Sequence, residues 1–207
     1  MNGSVHVLKV NNAGILEKGG RRETIDGYEA HFGTNYLGHV LLTYLLLNLR
    51  KGKKGCQQTR VINVSSCQHR VGSWLDFEDL NMKNSYSMEQ AYGNSKAAMV
   101  MFSQILETKF SVPSVSLHPG VVYTDMATSE SSWVSLISRY LMKSSNEGAS
   151  SLVYAALDPI LYKVSRAGKY LKNNQLVNIS SFTAARSNQK KLWDKTCCML
   201  KPHFQKR

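Results

Sequence analysis

Tyr92-Gly-Asn-Ser-Lys96 sets a phenol and an ammonium four residues apart, and on a helix residues at that spacing project from one face, a turn from each other. A phenol has a reference pKa of about 10, too high to exchange protons readily near neutral pH, and a cation held nearby lowers it by favouring the phenolate. The pair would make Tyr92 a general acid or base for chemistry at a carbonyl or alcohol oxygen. Taken alone the spacing is common, and a helix can carry it for structural reasons only. Its surroundings point to chemistry. Val61-Ile-Asn-Val-Ser-Ser66 puts a hydroxyl at the carboxyl end of an expected strand, the edge where open parallel sheets bind ligands. Asn11-Asn-Ala-Gly14 and Asn35-Tyr-Leu-Gly38 lie upstream, and His118-Pro-Gly-Val-Val-Tyr-Thr-Asp125 lies downstream.

The elements that must position these residues read as alternating strands and helices. Val5 to Val10 is a short apolar run stopped by Asn11 to Gly14, as expected of a buried parallel strand. Tyr28, Phe32, Tyr36 and Val40 recur every four residues beside a second stripe of Leu37, Leu41, Leu45 and Leu49, which predicts a helix buried on two sides. Arg60 to Ser65 is β-branched and alternating, a second strand. Ser87 and Gln90 form a capping box that opens a helix to about Lys109, with Tyr92, Met99 and Leu106 on its inner face. Val115 to Leu117 predicts a third strand, broken by Pro119 and Gly120 and followed by an irregular Ser-rich stretch to about Ser145. Ser144 and Glu147 cap a helix that Pro159 closes, and Gly168 to Leu171 is the last strand before a basic helical tail over 186–207. Strands alternating with helices predict a single α/β domain, with a parallel sheet wound right-handed and helices on both faces.

Composition narrows the partners. The chain has 207 residues, 43% apolar and 19% charged, with a formal charge of +12, enough apolar material for a buried core. The basic residues gather at Arg50, Lys51, Lys53 and Lys54 and in the tail at Lys190, Lys191, Lys195, Lys201, Lys206 and Arg207, without interleaved aromatics or a nucleic-acid motif. They read as solvated faces, and no nucleic-acid partner is expected. Cys56, Cys67, Cys197 and Cys198 lack C-x-x-C spacing, so reduced thiols and no metal site are expected. The longest apolar run, Val40 to Leu49, contains Thr43, Tyr44 and Asn48 and is about half the length that spans a bilayer. Met1 to Val10 has no leader pattern, so the sequons at Asn63 and Asn178 read as accidental and an intracellular setting is favoured, the cytoplasm or the surface of endoplasmic reticulum or lipid droplets.

The five motifs, in this order and spacing, resemble the short-chain dehydrogenase/reductase family, whose fold is a Rossmann-like doubly wound parallel sheet. The resemblance implies an NAD(P)-dependent oxidoreductase. In it Tyr92 would pass the proton, Lys96 would lower the Tyr92 pKa and hold the nicotinamide ribose, and Ser66 would bind the substrate oxygen and steady the developing alkoxide. Asn35 would hold a water that relays protons to Lys96. Asn11 would lie beside the adenine side of the cofactor, and the segment Pro119, Gly120, Val122 and Thr124 would cover the nicotinamide. Each has a plainer alternative: Asn35 satisfying helix backbone, Ser65 facing the site in place of Ser66, Thr124 acting as a helix cap. Asp26-Gly-Tyr-Glu-Ala-His-Phe-Gly-Thr-Asn-Tyr-Leu-Gly-His39 and the 26-residue step from Ser66 to Tyr92 are similar to the retinol-dehydrogenase-like subgroup. That implies long isoprenoid or retinoid alcohols and their carbonyl forms as substrates. Trp133, Leu136, Ile137 and Tyr140 are compatible with an apolar lid, and a homodimer and peripheral membrane contact through the tail are the further associations left open.

Two departures from the pattern set a rival reading. No glycine-rich G-x-x-x-G-x-G or G-x-G-x-x-G precedes Asn11, so the loop whose amides would cradle the cofactor's pyrophosphate is missing and NAD or NADP binding is expected to be weakened or lost. The sheet would lack its first βαβ segments, leaving Val5 to Val10 as an uncovered edge and Lys9 as a charge in a normally buried strand. The connection from Phe110 to Val115 is also several residues shorter than in similar proteins, and would shift the Pro119 turn. The rival is an N-terminally incomplete, non-catalytic form acting through protein or membrane contacts, pairing through the Gly27 to Leu49 and Ser87 to Lys109 helices.

Overall fold

The computed structural model describes residues 7–50, 59–71, 74–120, 145–158, 161 and 169–204. Its centre is a five-stranded sheet in spatial order β1-β2-β3-β4-β5, formed by β1 (Val7–Asn11), β2 (Thr59–Val64), β3 (Ser114–His118), β4 (Lys169–Lys172) and β5 (Gln175–Asn178). The first four are parallel. The fifth is antiparallel to β4, so the sheet is mixed where a wholly parallel one was expected. The chain reverses through Asn173 and Asn174, whose φ values of 50° and 59° are the left-handed pair that a two-residue hairpin turn requires and that asparagine tolerates.

β2 shows why both faces need cover. Val61 faces one apolar cluster while Ile62 and Val64 face another, because successive side chains of a strand point to opposite sides. The second cluster adds Val115, Leu117 and Leu171 and is closed by Ala155 of helix α4 (Ser145–Leu157). Arg60, 2% exposed, reaches the end of that helix and donates to Ala155 O at 2.7 Å, satisfying a carbonyl at the helix terminus that has no intrahelical partner.

The first cluster is built by helices. A short α1 (Ala30–Phe32) runs through a π-helical turn, Gly33–Leu37, into α2 (Gly38–Arg50). Helix α3 (Met88–Phe110) lies against the sheet and is buried almost all round from Ala91 to Leu106, Tyr92 excepted. It is enclosed because α6 (Arg186–Phe204), which follows the single turn α5 (Ser181–Ala184), brings Leu192, Trp193 and Leu200 into one cluster with its Phe102, Ile105 and Leu106 and with Tyr36. The expected capping box survives in part: Ser87 Oγ accepts the Gln90 amide at 3.2 Å. At the other end Ser111, at φ 53°, turns the chain with its N–H on Leu106 O. Three residues then suffice to enter β3, and the short connection leaves β3 in register with β2. Among the expectations, Ser144, the Gly168 end of the last strand, the apolar stretch with Trp133, Leu136, Ile137 and Tyr140, Lys51, Lys53, Lys54, Cys56, Lys206 and Arg207 lie outside the described residues.

Candidate active site

The carboxyl end of β2 brings two serines to the edge of α3 and gives them different tasks. Ser65 donates its N–H to Leu117 O at 2.7 Å and its Oγ–H to Lys96 O at 2.8 Å, so its amide ties β2 to β3 and its hydroxyl is committed to α3. Ser66 is extended and caps the 3₁₀ turn Cys67–Arg70, accepting the Gln68 amide at 3.3 Å. Ser66 is the serine whose hydroxyl meets Tyr92. Burial raises the Tyr92 phenol above its ordinary value, against a hydrogen bond with Ser66 that lowers it. Lys96, 5% exposed, donates from Nζ to Val64 O at 3.3 Å and stands 5.5 Å from the Tyr92 ring centroid. Its own pKa is lowered to about 8 by burial.

This corrects the expected electrostatics. Burial dominates the phenol and holds it above its ordinary value, where a lowering by Lys96 was expected. Near neutral pH the phenol holds its proton, while the amine, at about 8, can lose one a little above neutrality.

Asn35 sits in the π turn, whose wider spacing is common at functional positions. Its Oδ1 accepts the Ile15 amide at 2.7 Å, and its Nδ2 donates to Ile15 O at 3.0 Å and to Ser95 Oγ at 3.1 Å. Both amide hydrogens are thus committed to protein groups. A Cβ on Gly14 would stand 3.1 Å from Asn35 Oδ1 and 3.4 Å from Lys96 Nζ, so the loop after β1 passes directly against both. Asn35, Gly14 and Lys96 therefore form one cluster with Tyr92 and Ser66.

Asn11 does not join it. Its Nδ2 donates to Asn63 Oδ1 at 2.7 Å and Thr43 Oγ1 at 3.1 Å, and Asn63 continues to Ser103 Oγ at 2.7 Å. Asn11 is 1% exposed: strand alternation turns its amide inward, where it ties β1 to β2 and α2, and it is not available to a cofactor's adenine. The same burial puts the Asn63 sequon out of reach of modification in the folded chain. Pro119 and Gly120 follow β3 at the same sheet edge, Gly120 at φ 98°; Val122 and Thr124 lie outside the described residues.

Four buried groups around this cluster were not singled out from sequence. His69 Nδ1 donates to Ser66 O at 2.7 Å, and its ring lies 4.6 Å from that of Tyr170 on β4. His69 is held below its usual pKa by burial, so Nδ1 carries the proton. Glu29 and His31 sit at the start of α1, with His31 edge-on to Tyr92 at 6.0 Å. The spacing His31, Asn35, His39 was the available signal for His31; nothing local announced Tyr170, which arrives from 78 residues beyond Tyr92.

Known proteins resemble this chain in sequence and in fold. A profile of the short chain dehydrogenase family matches residues 1–135. Polyprenol dehydrogenase of Homo sapiens is 38% identical over 207 residues, covering 94% of this chain and 61% of that protein. Retinol dehydrogenase 12 of Mus musculus is 35% identical over 202 residues, covering 95% and 61%. The chain thus spans 61% of the length of these relatives. An uncharacterized protein from Mycobacterium paratuberculosis superposes with a TM-score of 0.68 at 28% identity, covering 97% of this chain and 69% of that one. A short-chain dehydrogenase from Burkholderia cenocepacia, in complex with NADP, shares the fold at a TM-score of 0.53 and 20% identity, covering 80% and 63%. The sheet order, the Ser66, Tyr92 and Lys96 cluster and the profile match concur: this chain belongs to the short-chain dehydrogenase/reductase family.

Proposed function

We propose that this site interconverts a lipophilic alcohol and its carbonyl compound by hydride transfer, in the manner named for its polyprenol and retinol dehydrogenase relatives. The observation that carries the reading is the meeting of Ser66, Tyr92 and Lys96 at one sheet edge. NAD or NADP supplies or accepts the hydride when bound. The Lys96 end fits such a group: its ammonium donates to one backbone carbonyl and has further hydrogens for a ribose hydroxyl, and Gly14 keeps the loop beside it free of side chain.

Each protein group then has a defined task. Ser66 Oγ donates to the substrate oxygen, Tyr92 gives that oxygen its proton in reduction and takes it in oxidation, and Lys96, its ammonium beside the ring, holds the nicotinamide ribose. Burial keeps the Tyr92 phenol protonated near neutral pH, the state from which it donates, at the expense of acid strength. A second reading, a contact protein without turnover, draws on the exposed Leu42, Leu46 and Leu49 along α2. Pairing through α3 is not open to it, since α6 already covers that helix.

Titration of the 207-residue chain with NADPH and NADH, beside a circular-dichroism melt, tests the proposal. Saturable binding by a cooperatively folded chain, and turnover of isoprenoid or retinoid substrates that falls by about a thousandfold or more in Tyr92→Phe, is the expected result. Turnover that survives Tyr92→Phe excludes the proton-transfer role, and a folded chain with no dinucleotide binding favours the contact reading.

A further inference from the structure

The side chains His31, Asn35 and His39 stand at successive intervals of four along α1, the π turn and α2, and each grips the loop after β1. His39 Nε2 donates to Ala13 O at 2.7 Å, Asn35 clamps both backbone groups of Ile15, and the Glu17 amide donates to His31 Nε2 at 3.0 Å. Helix positions 39, 35 and 31 therefore match loop positions 13, 15 and 17 in order. Four residues advance an α-helix by about 400°, so such a row would drift about 40° per step; the wider turn over Gly33–Leu37 takes up that drift. The turn seats close against residue 24 because residue 33 is glycine: a Cβ would fall 2.7 Å from Thr24 Cγ2.

The His31 rung alone also touches the phenol. Its ring meets Tyr92 edge-on, 6.0 Å between centroids and 81° between planes. Its Nδ1 donates to Glu29 Oε1 at 2.8 Å. That bond fixes the tautomer, leaving Nε2 as the acceptor the Glu17 amide needs. Glu29 is fully used in turn: Oε1 also accepts the His31 amide at 3.0 Å, Oε2 accepts the Phe32 amide at 2.7 Å, and its own N–H donates to Asn81 Oδ1 at 2.9 Å. Burial pushes the carboxyl up, yet the bonds from His31 and the Phe32 amide outweigh it and hold the group below its usual range. Both residues are 1% exposed or less.

We infer that Glu29 and His31 form a positioning dyad: through one imidazole of fixed tautomer, they set the plane of the Tyr92 ring and hold loop 13–17 against Lys96. The inference rests on the reading of Tyr92 and Lys96 given above, but its consequences are visible without turnover. Glutamine cannot replace Glu29, because both carboxylate oxygens accept and an amide nitrogen would oppose either an N–H of Phe32 or the imidazole.

The test uses the 207-residue chain labelled with ¹³Cζ-tyrosine, the Tyr92 resonance being assigned by its loss in Tyr92→Phe. In His31→Ala and Glu29→Gln, water reaches the ring and the Tyr92 titration midpoint should fall by about half a pH unit or more. His31→Phe keeps the ring edge and removes the acceptor. There the midpoint should stay, while hydrogen exchange of the Glu17 amide should speed up about tenfold, the loss of one hydrogen bond. Coincident Tyr92 titrations in a folded His31→Ala chain, or an unaltered Glu17 amide in folded His31→Phe, would overturn the inference. If the variants do not fold, the ¹H–¹⁵N correlations of His31 in the parent chain decide: protonated Nδ1 with bare Nε2 supports the dyad, and the opposite tautomer or an imidazolium at neutral pH ends it. Failure of dinucleotide binding or of Tyr92→Phe to abolish turnover would refute the catalytic reading and leave these spectra unchanged.

Discussion

Lys96 shows how a single buried amine leaves a thermodynamic signature. Its folded value of about 8 lies below the 10.5 of an unfolded lysine, so between these values the unfolded chain binds the extra proton and stability rises with pH. Below about pH 8 the full penalty of charging the buried group is present. Urea unfolding of the parent chain at pH 8, 9 and 10 should therefore show stability increasing, by a few kcal/mol at most. Lys96→Met should flatten the rise, leaving the shallower contribution of Lys9, whose partial burial acts in the same direction, set against the Cys197 thiol, which burial raises and which therefore acts oppositely above about pH 9. Above pH 10 the raised phenols of Tyr36, Tyr92 and Tyr170 pull the other way, so the window closes there. An unchanged slope in the variant would show that the amine is solvated. Ser66, Tyr92 and Lys96 were legible in sequence because their chemistry is tied to short spacings and a strand end. Asn11 was not, since which way a strand residue points is settled by what packs on each face. His69 and Tyr170 meet only after β4 has been laid beside β3, a contact that no local pattern encodes.

At the scale of elements, periodicity found the long pieces and missed the short ones. The stripes through Phe32, Tyr36 and Val40 and through Met99 and Leu106 predicted helices that are present, with these residues in the core, but the second stripe of the first helix was overread: it begins buried at Leu37 and ends 53% exposed at Leu49, so that helix is not buried on two sides along its length. β5 went unread because its four residues carry little pattern and the Asn173, Asn174 turn was not taken as a hairpin signal. The π turn was equally silent, as hydrophobic spacing does not distinguish one extra residue per turn. The basic composition of 186–207 suggested a solvated tail, yet a narrow stripe of Gln189, Leu192, Trp193, Thr196 and Leu200 is buried while Lys190, Lys191 and Lys201 stay outside and Lys190 and Lys195 pair with Asp194 and Glu78. Trp193 packs edge-on against Phe110 at 5.2 Å. Its replacement by alanine should cost about 3 to 5 kcal/mol, read as a lower midpoint in urea; an unchanged midpoint would mean that α6 does not dock in solution.

For the whole molecule the asymmetry lies in what flanks the sheet. One side of β2 is closed by α3 and α6 and the other by α4, whereas β1 pairs only with β2 among the described residues and Leu8 is 42% exposed. An unpaired strand edge with an apolar side chain is a template for further strands. Leu8→Lys should lower light scattering of concentrated solutions without lowering the melting temperature; equal scattering would place the sticky surface elsewhere, with Leu42, Leu46 and Leu49 of α2 the next to change. The enclosure of α3 by α6 carries a further consequence for how the chain comes to be made. Translation proceeds from the amino end, so the helix bearing Tyr92 and Lys96 emerges well before the residues that roof it. Throughout that interval Phe102, Ile105 and Leu106 face water, and a chaperone that reads greasy helices would find its binding segment there until residues 186–204 follow. Chains arrested on the ribosome before residue 186 should therefore be held by such helpers, and chains extended past 204 should be released.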